Sequence, residues 1–162
     1  PRNTGKINSQ TLLPIYQTEG VKAIFYGLES YFEIKLLEHF TISNSFSYTY
    51  GNFKQTDDPL PQIPPLKNII QLKYLNGNFT TGISSEIAGA QNRVDLYETP
   101  TVGYAVFNAF IQFSFEIGSM IQNISLNGEN LLNKEYRNHL SRVKVIMPEA
   151  GINLKLSYRL YF

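Results

Sequence analysis

Apolar and polar residues alternate along much of this chain with a period of two. In 152–162 the even positions are Ile152, Leu154, Leu156, Tyr158, Leu160 and Phe162; the odd ones are Asn153, Lys155, Ser157, Arg159 and Tyr161. Successive side chains of a strand point to opposite faces, so this run has one apolar face and one largely polar face. Residues 40–50 repeat the pattern. Phe40, Ile42, Phe46, Tyr48 and Tyr50 share a face, with Asn44 its one polar member, while Thr41, Ser43, Ser45, Ser47 and Thr49 share the other. Small hydroxyls in unbroken succession suit a wet or loosely filled lumen, whereas a close-packed aqueous core asks for bulk. The same reading predicts strands at 12–36, 66–75, 79–91, 104–115 and 121–132, seven in all. Their apolar faces carry, among others, Ile24, Tyr26 and Leu28; Ile70, Leu72 and Tyr74; Phe79, Ile83 and Ile87; Phe107, Ile111 and Phe113; and Ile124 and Leu126. The expected fold class is all-β and antiparallel.

The connections alternate between short and long. Leu37-Glu38-His39, Asn76-Gly77-Asn78 and the turn at Gly118-Ser119 are short, with Asn-Gly a strong hairpin signal because both residues tolerate positive φ. Residues 54–65, 92–103 and 133–150 are long, and hold or border Pro59, Pro61, Pro64, Pro65, Pro100 and Pro148, where no ladder donor is lost. Short turns on one side and long loops on the other are the layout of outer-membrane barrels.

A soluble sandwich would also alternate, so the membrane reading rests on further features. Apolar faces run for about ten residues, the length of a tilted membrane strand. Rings recur near the short-turn ends, at Phe32, Phe40, Tyr74, Phe79, Phe115 and Phe162, as an interfacial girdle requires. Glu29, Glu33, Lys35, Lys73, Lys155 and Arg159 all fall on the polar face. No stretch offers the roughly 18 consecutive apolar residues of a membrane helix.

Composition removes several alternatives. Fourteen basic and thirteen acidic residues, spread along the chain, give net charge +1 and no basic run for a phosphate backbone, so no nucleic-acid partner is expected. The absence of cysteine excludes disulfides and thiolate metal sites. Pro1-Arg2-Asn3-Thr4-Gly5-Lys6 lacks a charged n-region and an apolar h-region, so no signal peptide is read there. Seven antiparallel strands do not close a barrel, because first and last would run the same way. Residues 12–36 are expected to form one strand with a bulge at Glu19-Gly20. A tight turn there would instead add an eighth strand and permit a small closed barrel.

Several motifs resemble those of TonB-dependent outer-membrane receptors, in order over nearly the whole chain. Glu129-Asn130-Leu131-Leu132-Asn133-Lys134-Glu135-Tyr136 is similar to the penultimate-strand motif x-N-L-(L/F)-(N/D)-(K/R)-x-Y. Arg137-Asn138-His139-Leu140-Ser141 and Met147-Pro148-Glu149-Ala150-Gly151 resemble the following loop and the approach to the last strand. Tyr26-Gly27-Leu28-Glu29, Pro61-Gln62-Ile63-Pro64-Pro65 and Glu98-Thr99-Pro100-Thr101-Val102-Gly103-Tyr104 resemble strand and loop-to-strand segments of the same family. Where members commonly have Gly-Arg-Asn, this chain has Gly151-Ile152-Asn153. The resemblance implies that 1–162 is the C-terminal part of one barrel domain of about 22 strands, whose plug and earlier strands lie upstream. It implies a multi-pass protein of the cell outer membrane that is not an enzyme and has no cofactor. Its implied partners are outer-membrane lipid, the barrel-assembly machinery, TonB through the upstream part, and a transported metal complex of the iron-siderophore type. The competing readings are a self-contained eight-stranded outer-membrane barrel with a structural or adhesive role, and a soluble lipocalin-like binding module.

Candidate chemistry is sparse. Phe162, Leu160, Tyr158 and Leu156 form an aromatic-ended alternating strand of the kind the assembly machinery recognises. Arg93, Asp95 and Glu98 either touch ligand at a loop mouth or, more simply, anchor loops by charge. Arg137, His139 and Arg142 are possible ligand contacts in the last long loop. A lone histidine without clustered ligands reads as solvated and not as a metal site, and His39 reads as plain surface. Glu29 and Glu33 are expected to line a lumen wall, with no nucleophile or histidine beside them for catalysis.

Overall fold

The computed structural model describes residues 2–18 and 20–162. Two sheets are present among them. A hairpin pairs β1 (Arg2–Ile7) with β2 (Pro14–Gln17), and a seven-stranded antiparallel meander runs in chain order through β3 (Ala23–Lys35), β4 (Phe40–Phe53), β5 (Lys67–Asn76), β6 (Phe79–Ala88), β7 (Tyr104–Ile117), β8 (Met120–Glu129) and β9 (Asn153–Tyr161). Among the described residues no helix is long and apolar enough to cross a membrane, which leaves crossing by strands open.

Register carries the architecture. Opposed residues share a face, so one parity can be followed across the sheet. Phe40 faces Tyr74, Ile42 lies between Ile34 and Leu72, and Leu72 faces Ile83. Ile83 then faces Ala109, Ile111 faces Leu126, and Leu126 faces Leu156. A one-residue slip at any pairing would put that row on the wrong side; none occurs. Every apolar row predicted from alternation therefore lies on a single face of all seven strands. Every charged residue of those strands, from Glu29 to Arg159, lies on the other.

Among the described residues no second layer covers the apolar face. Ile83, Leu154, Leu156 and Tyr158 are about 60% exposed or more, and Ile63, Ala88 and Val106 are the buried apolar residues among those described. A water-soluble sandwich would bury these rows against a facing sheet. The amide side chains Asn44, Asn68 and Gln122 on the apolar face have local partners. Asn44 donates to Asn68 Oδ1 (3.1 Å), Asn68 donates to the Ser45 carbonyl (3.4 Å), and Tyr158 donates to Gln122 (2.9 Å). Near the short turns Phe40, Tyr74 and Phe79 form a continuous belt, with ring centroids 5.0 and 6.4 Å apart.

Two expectations need correction. Residues 12–36 are not one strand. Asn8 accepts from the Leu12 amide while its side chain accepts from the Gln10 and Thr11 amides, closing a turn that folds 14–17 back onto 2–7. Residues 14–17 are thus used by a local partner and add no eighth strand to the main sheet; Glu19, half of the expected bulge, lies outside the described residues. β1 escaped notice because it holds a single strongly apolar residue, Ile7. The second correction concerns turn chemistry. Asn76 is still paired, with Phe79, so the two-residue loop is Gly77-Asn78, and Gly77 alone of the two has positive φ (55°). Gly118, at φ 63° before Ser119, repeats it. Glycine at the first loop position is the II′ pattern, whose twist matches the flanking strands.

Candidate functional site: the long-loop end

All three long connections, 54–66, 89–103 and 130–152, emerge at the same end of the sheet, opposite the aromatic belt. Their backbones are ordered by polar side chains, most densely around Glu98. The Gln62 amide of the first loop donates to both Glu98 oxygens (3.2 and 3.1 Å). His139 Nε2 and Lys144 Nζ of the third loop lie 3.1 and 3.3 Å from Glu98 Oε1. One carboxylate thus joins three loops.

His139 is 2% exposed, which corrects the solvated reading. Its Nδ1 lies 2.9 Å from Thr101 Oγ1 and 3.3 Å from Lys144 Nζ, while Lys144 also donates to the His139 carbonyl (2.9 Å). An ammonium has only donors, so Nδ1 can face Lys144 only as an acceptor, while the buried Nε2 sits 3.1 Å from Glu98 Oε1 without hydrogen-bond geometry. The partners Glu98 and Lys144 are 41 and 5 positions away in sequence, which is why inspection of neighbours missed them. Burial alone would push the Glu98 carboxyl up. The imidazole of His139, the Gln62 amide and the Lys144 charge outweigh it and hold Glu98 down to about 2. No cluster of three or more metal-binding side chains occurs among the described residues.

The other candidates are placed separately. Arg93 donates to Asn52 Oδ1 and stacks over the Tyr50 ring (4.0 Å), tying the second loop to β4. Asp95 is buried, Arg137 donates to the Lys144 carbonyl, and Arg142 is exposed. His39 is half-buried and its Nδ1 sits 3.0 Å from the Leu75 carbonyl, so it bridges two short-turn ends and is not plain surface. Glu29 and Glu33 lie on the polar face of β3, where Glu33 accepts from Tyr31 (2.9 Å).

The segment 129–136 forms a clamp between β8 and β9. Asn130 has φ 50° and is 3% exposed. Its Oδ1 accepts from the Lys134 amide (2.8 Å), and its Nδ2 donates to the Lys134 and Ala150 carbonyls (2.8 and 3.0 Å). Its own amide donates to Asn108 of β7 (2.9 Å), and the Leu131 amide to the Phe107 carbonyl (2.8 Å). Asn133, also at φ 50°, accepts from the Ile152 amide (3.3 Å), and Glu129 accepts from Asn153 (3.1 Å). Tyr136 packs on Tyr104 at 4.4 Å, while Leu132 stays exposed. Asparagine is favoured at both left-handed positions because its short amide can bond the local backbone. At the other end of β9, Phe162, Leu160, Tyr158 and Leu156 all lie on the exposed apolar face.

No family model and no curated protein matches the chain. Among solved structures it is similar to the copper transporter OprC, at 24% identity and TM-score 0.73, over 86% of this chain and 22% of that one. It is also similar to the ferric citrate transporter FecA in its unliganded form, at 18% identity and TM-score 0.72, over 87% of this chain and 25% of that one. At these identities the likeness is one of fold, and the chain spans a quarter or less of the length of either transporter.

Proposed function

We propose that this chain is the C-terminal barrel segment of a TonB-dependent outer-membrane receptor that imports a scarce metal complex, and that it does no chemistry of its own. The observation that carries the reading is the single apolar face of seven in-register strands, exposed and without a second layer. That face suits acyl chains, while the charged and hydroxyl-rich face suits a watery lumen and a plug. The fold likeness to a copper transporter and a ferric citrate transporter supports metal-complex import, and the resemblance of 129–136 to the penultimate-strand motif supports the receptor family. On this reading the short turns are periplasmic, the Glu98 cluster braces extracellular loops, and β9 with Phe162 is what the assembly machinery engages. Energy coupling would enter through an upstream plug and its TonB-binding segment.

The test has two parts. The upstream coding sequence is expected to encode a plug domain; a signal peptide directly before Pro1 would defeat the reading. Cells carrying the full-length gene are expected to accumulate labelled iron or copper complexes in a manner abolished by a protonophore. Accumulation unchanged by deletion of the gene, for every complex offered, would remove the transport assignment.

A further inference from the structure

The apolar face carries a polar cluster deep within the span of its strands. Asn44 and Ser85 flank Ile70 on one cross-strand rung, and Ser30 and Asn68 flank Phe46 on the next. Asn44 stands four residues from Phe40 of the aromatic belt, or about 10 Å along the membrane normal at about 2.5 Å per residue. Acyl chains at that depth offer neither donor nor acceptor. The two amides do not exhaust one another. Asn44 uses both N–H groups, on Asn68 Oδ1 (3.1 Å) and the Ile69 carbonyl (3.3 Å), but its Oδ1 receives no hydrogen bond among the described residues. Asn68 uses one N–H on the Ser45 carbonyl (3.4 Å) and keeps the other. The Ser30 and Ser85 hydroxyls make no hydrogen bond among the described residues either. Elsewhere on this face Thr81 donates to the Phe110 carbonyl (2.7 Å) and Gln122 accepts from Tyr158 (2.9 Å).

We infer that this patch is where two copies of the protein meet side by side in the membrane. The inference goes beyond transport and rests on the reading that this face meets lipid. A free N–H on Asn68 beside a free Oδ1 on Asn44 is self-complementary. About a two-fold axis along the membrane normal, Asn68 of each copy donates to Asn44 of the other, so one contact generates its mate. Depth selects the occupant. Asn44 and Asn68 are hydrogen-bonded to each other, so their free atoms lie at one depth. A foreign partner would need matching polar groups at that depth, whereas a second copy inserted the same way has them by construction. Ser30 and Ser85 are small and let the two sheets approach. Between membrane-embedded segments apolar contact gains little over lipid, and close approach with interlocked amides is what holds them together.

The test is disulfide cross-linking of the full-length protein, carrying one cysteine, in intact outer membranes. Residues 1–162 contribute no cysteine of their own, and any encoded upstream is replaced by serine. Ile70→Cys lies between Asn44 and Ser85, and Ile124→Cys on β8 is the control, since both sit on the apolar face at nearly equal exposure, 41% and 42%. On oxidation Ile70→Cys is expected to give at least about tenfold more dimer, of twice the chain mass, than Ile124→Cys. Adding Asn44→Leu and Asn68→Leu together should return it to the control level. Heat-modifiable mobility should stay as in wild type, because both partners of the pair are removed at once. Equal cross-linking by the two cysteine variants, a dimer that survives the double leucine change, or a cross-link to a different protein overturns the inference. A folded, membrane-embedded monomer defeats the pairing and leaves the receptor reading intact; protein recovered in the aqueous fraction defeats both.

Discussion

Ile83→Arg separates a lipid-facing sheet from a water-facing one. Ile83 lies on the apolar face of β6, four residues from Phe79 and five from Ala88, and is 61% exposed. At a rise of about 3.3 Å per residue and a tilt near 40°, each residue advances about 2.5 Å along the membrane normal. Ile83 is then about 10 Å from one strand end and about 13 Å from the other, close to the middle of an apolar band about 25 Å tall. Arginine at the midplane costs about 2–4 kcal/mol, or about 30- to 900-fold in the folding equilibrium. In water the same change at a mostly exposed site would cost almost nothing. The neighbour Ser84 is paired with Gln71 and Asn108 on the polar face, so Ser84→Arg controls for strand propensity and charge at nearly the same depth. The assay is urea-dependent folding of the full-length protein into lipid vesicles, followed by heat-modifiable gel mobility. Ile83→Arg is expected to lose at least about 2 kcal/mol and Ser84→Arg under about 1. Equal, small effects would refute the assignment of faces.

Four further outcomes follow from the same structure. Asn44→Leu or Asn68→Leu alone leaves a polar partner facing lipid and should cost about 1–3 kcal/mol in that assay, while the double change should be close to neutral. Asn130→Ala removes three side-chain hydrogen bonds and the residue best suited to φ 50°, so it should cost about 2–4 kcal/mol and open 130–152 to protease, and Asn130→Asp should be no milder, because it sets a carboxylate oxygen against the Lys134 and Ala150 carbonyls. Glu98 is held below its ordinary value, so its contribution to loop order is complete above about pH 4.5 and declines as pH falls toward about 2; amide exchange of 89–103 and 130–152 should rise across that window, and Glu98→Gln should flatten the dependence. On the proposed reading, deleting Phe162 from the full-length protein should lower the amount assembled in the outer membrane severalfold at unchanged synthesis, as immunoblots of membrane fractions would report; unchanged levels would relieve Phe162 of an assembly role.

How much was legible in the sequence depended on the range of the interaction. Period-two alternation is a local signal, and it located six of the seven strands of the main sheet to within a few residues, and the end but not the start of β3, because an apolar face leaves a mark at every second position. The parity of the pairing agrees with the same signal, since only one parity aligns Ile42 with Leu72 and Leu72 with Ile83, but the register itself came from the coordinates. Alternation failed at residues 2–17, where a hairpin is made by the Asn8 turn and by backbone bonds between strands with little apolar pattern. It was silent on His139, whose burial comes from Glu98 and Thr101 on another loop. The motif around Asn130 was recognisable as a string, but its physical content, two left-handed asparagines clamping two strands, needed coordinates.

The main sheet also constrains what must surround it. β3 and β9 are each paired on one side only. In a bilayer an unpaired edge amide or carbonyl costs several kcal/mol, so neither edge can face lipid. The simplest remedy, joining the two edges, is unavailable in antiparallel form, because in a seven-stranded meander the first and last strands point the same way. Further strands are therefore required on the receptor reading, and an even total restores antiparallel closure. The polar face makes a matching demand. Glu29, Glu33, Lys73, Lys155 and Arg159 line a surface far too charged for a dry interior, yet Ser43, Ser45 and Ser47 are too small to fill a narrow one. A barrel wide enough to hold water and a separate folded plug meets both conditions, whereas an eight-stranded barrel would have to pack those side chains against one another.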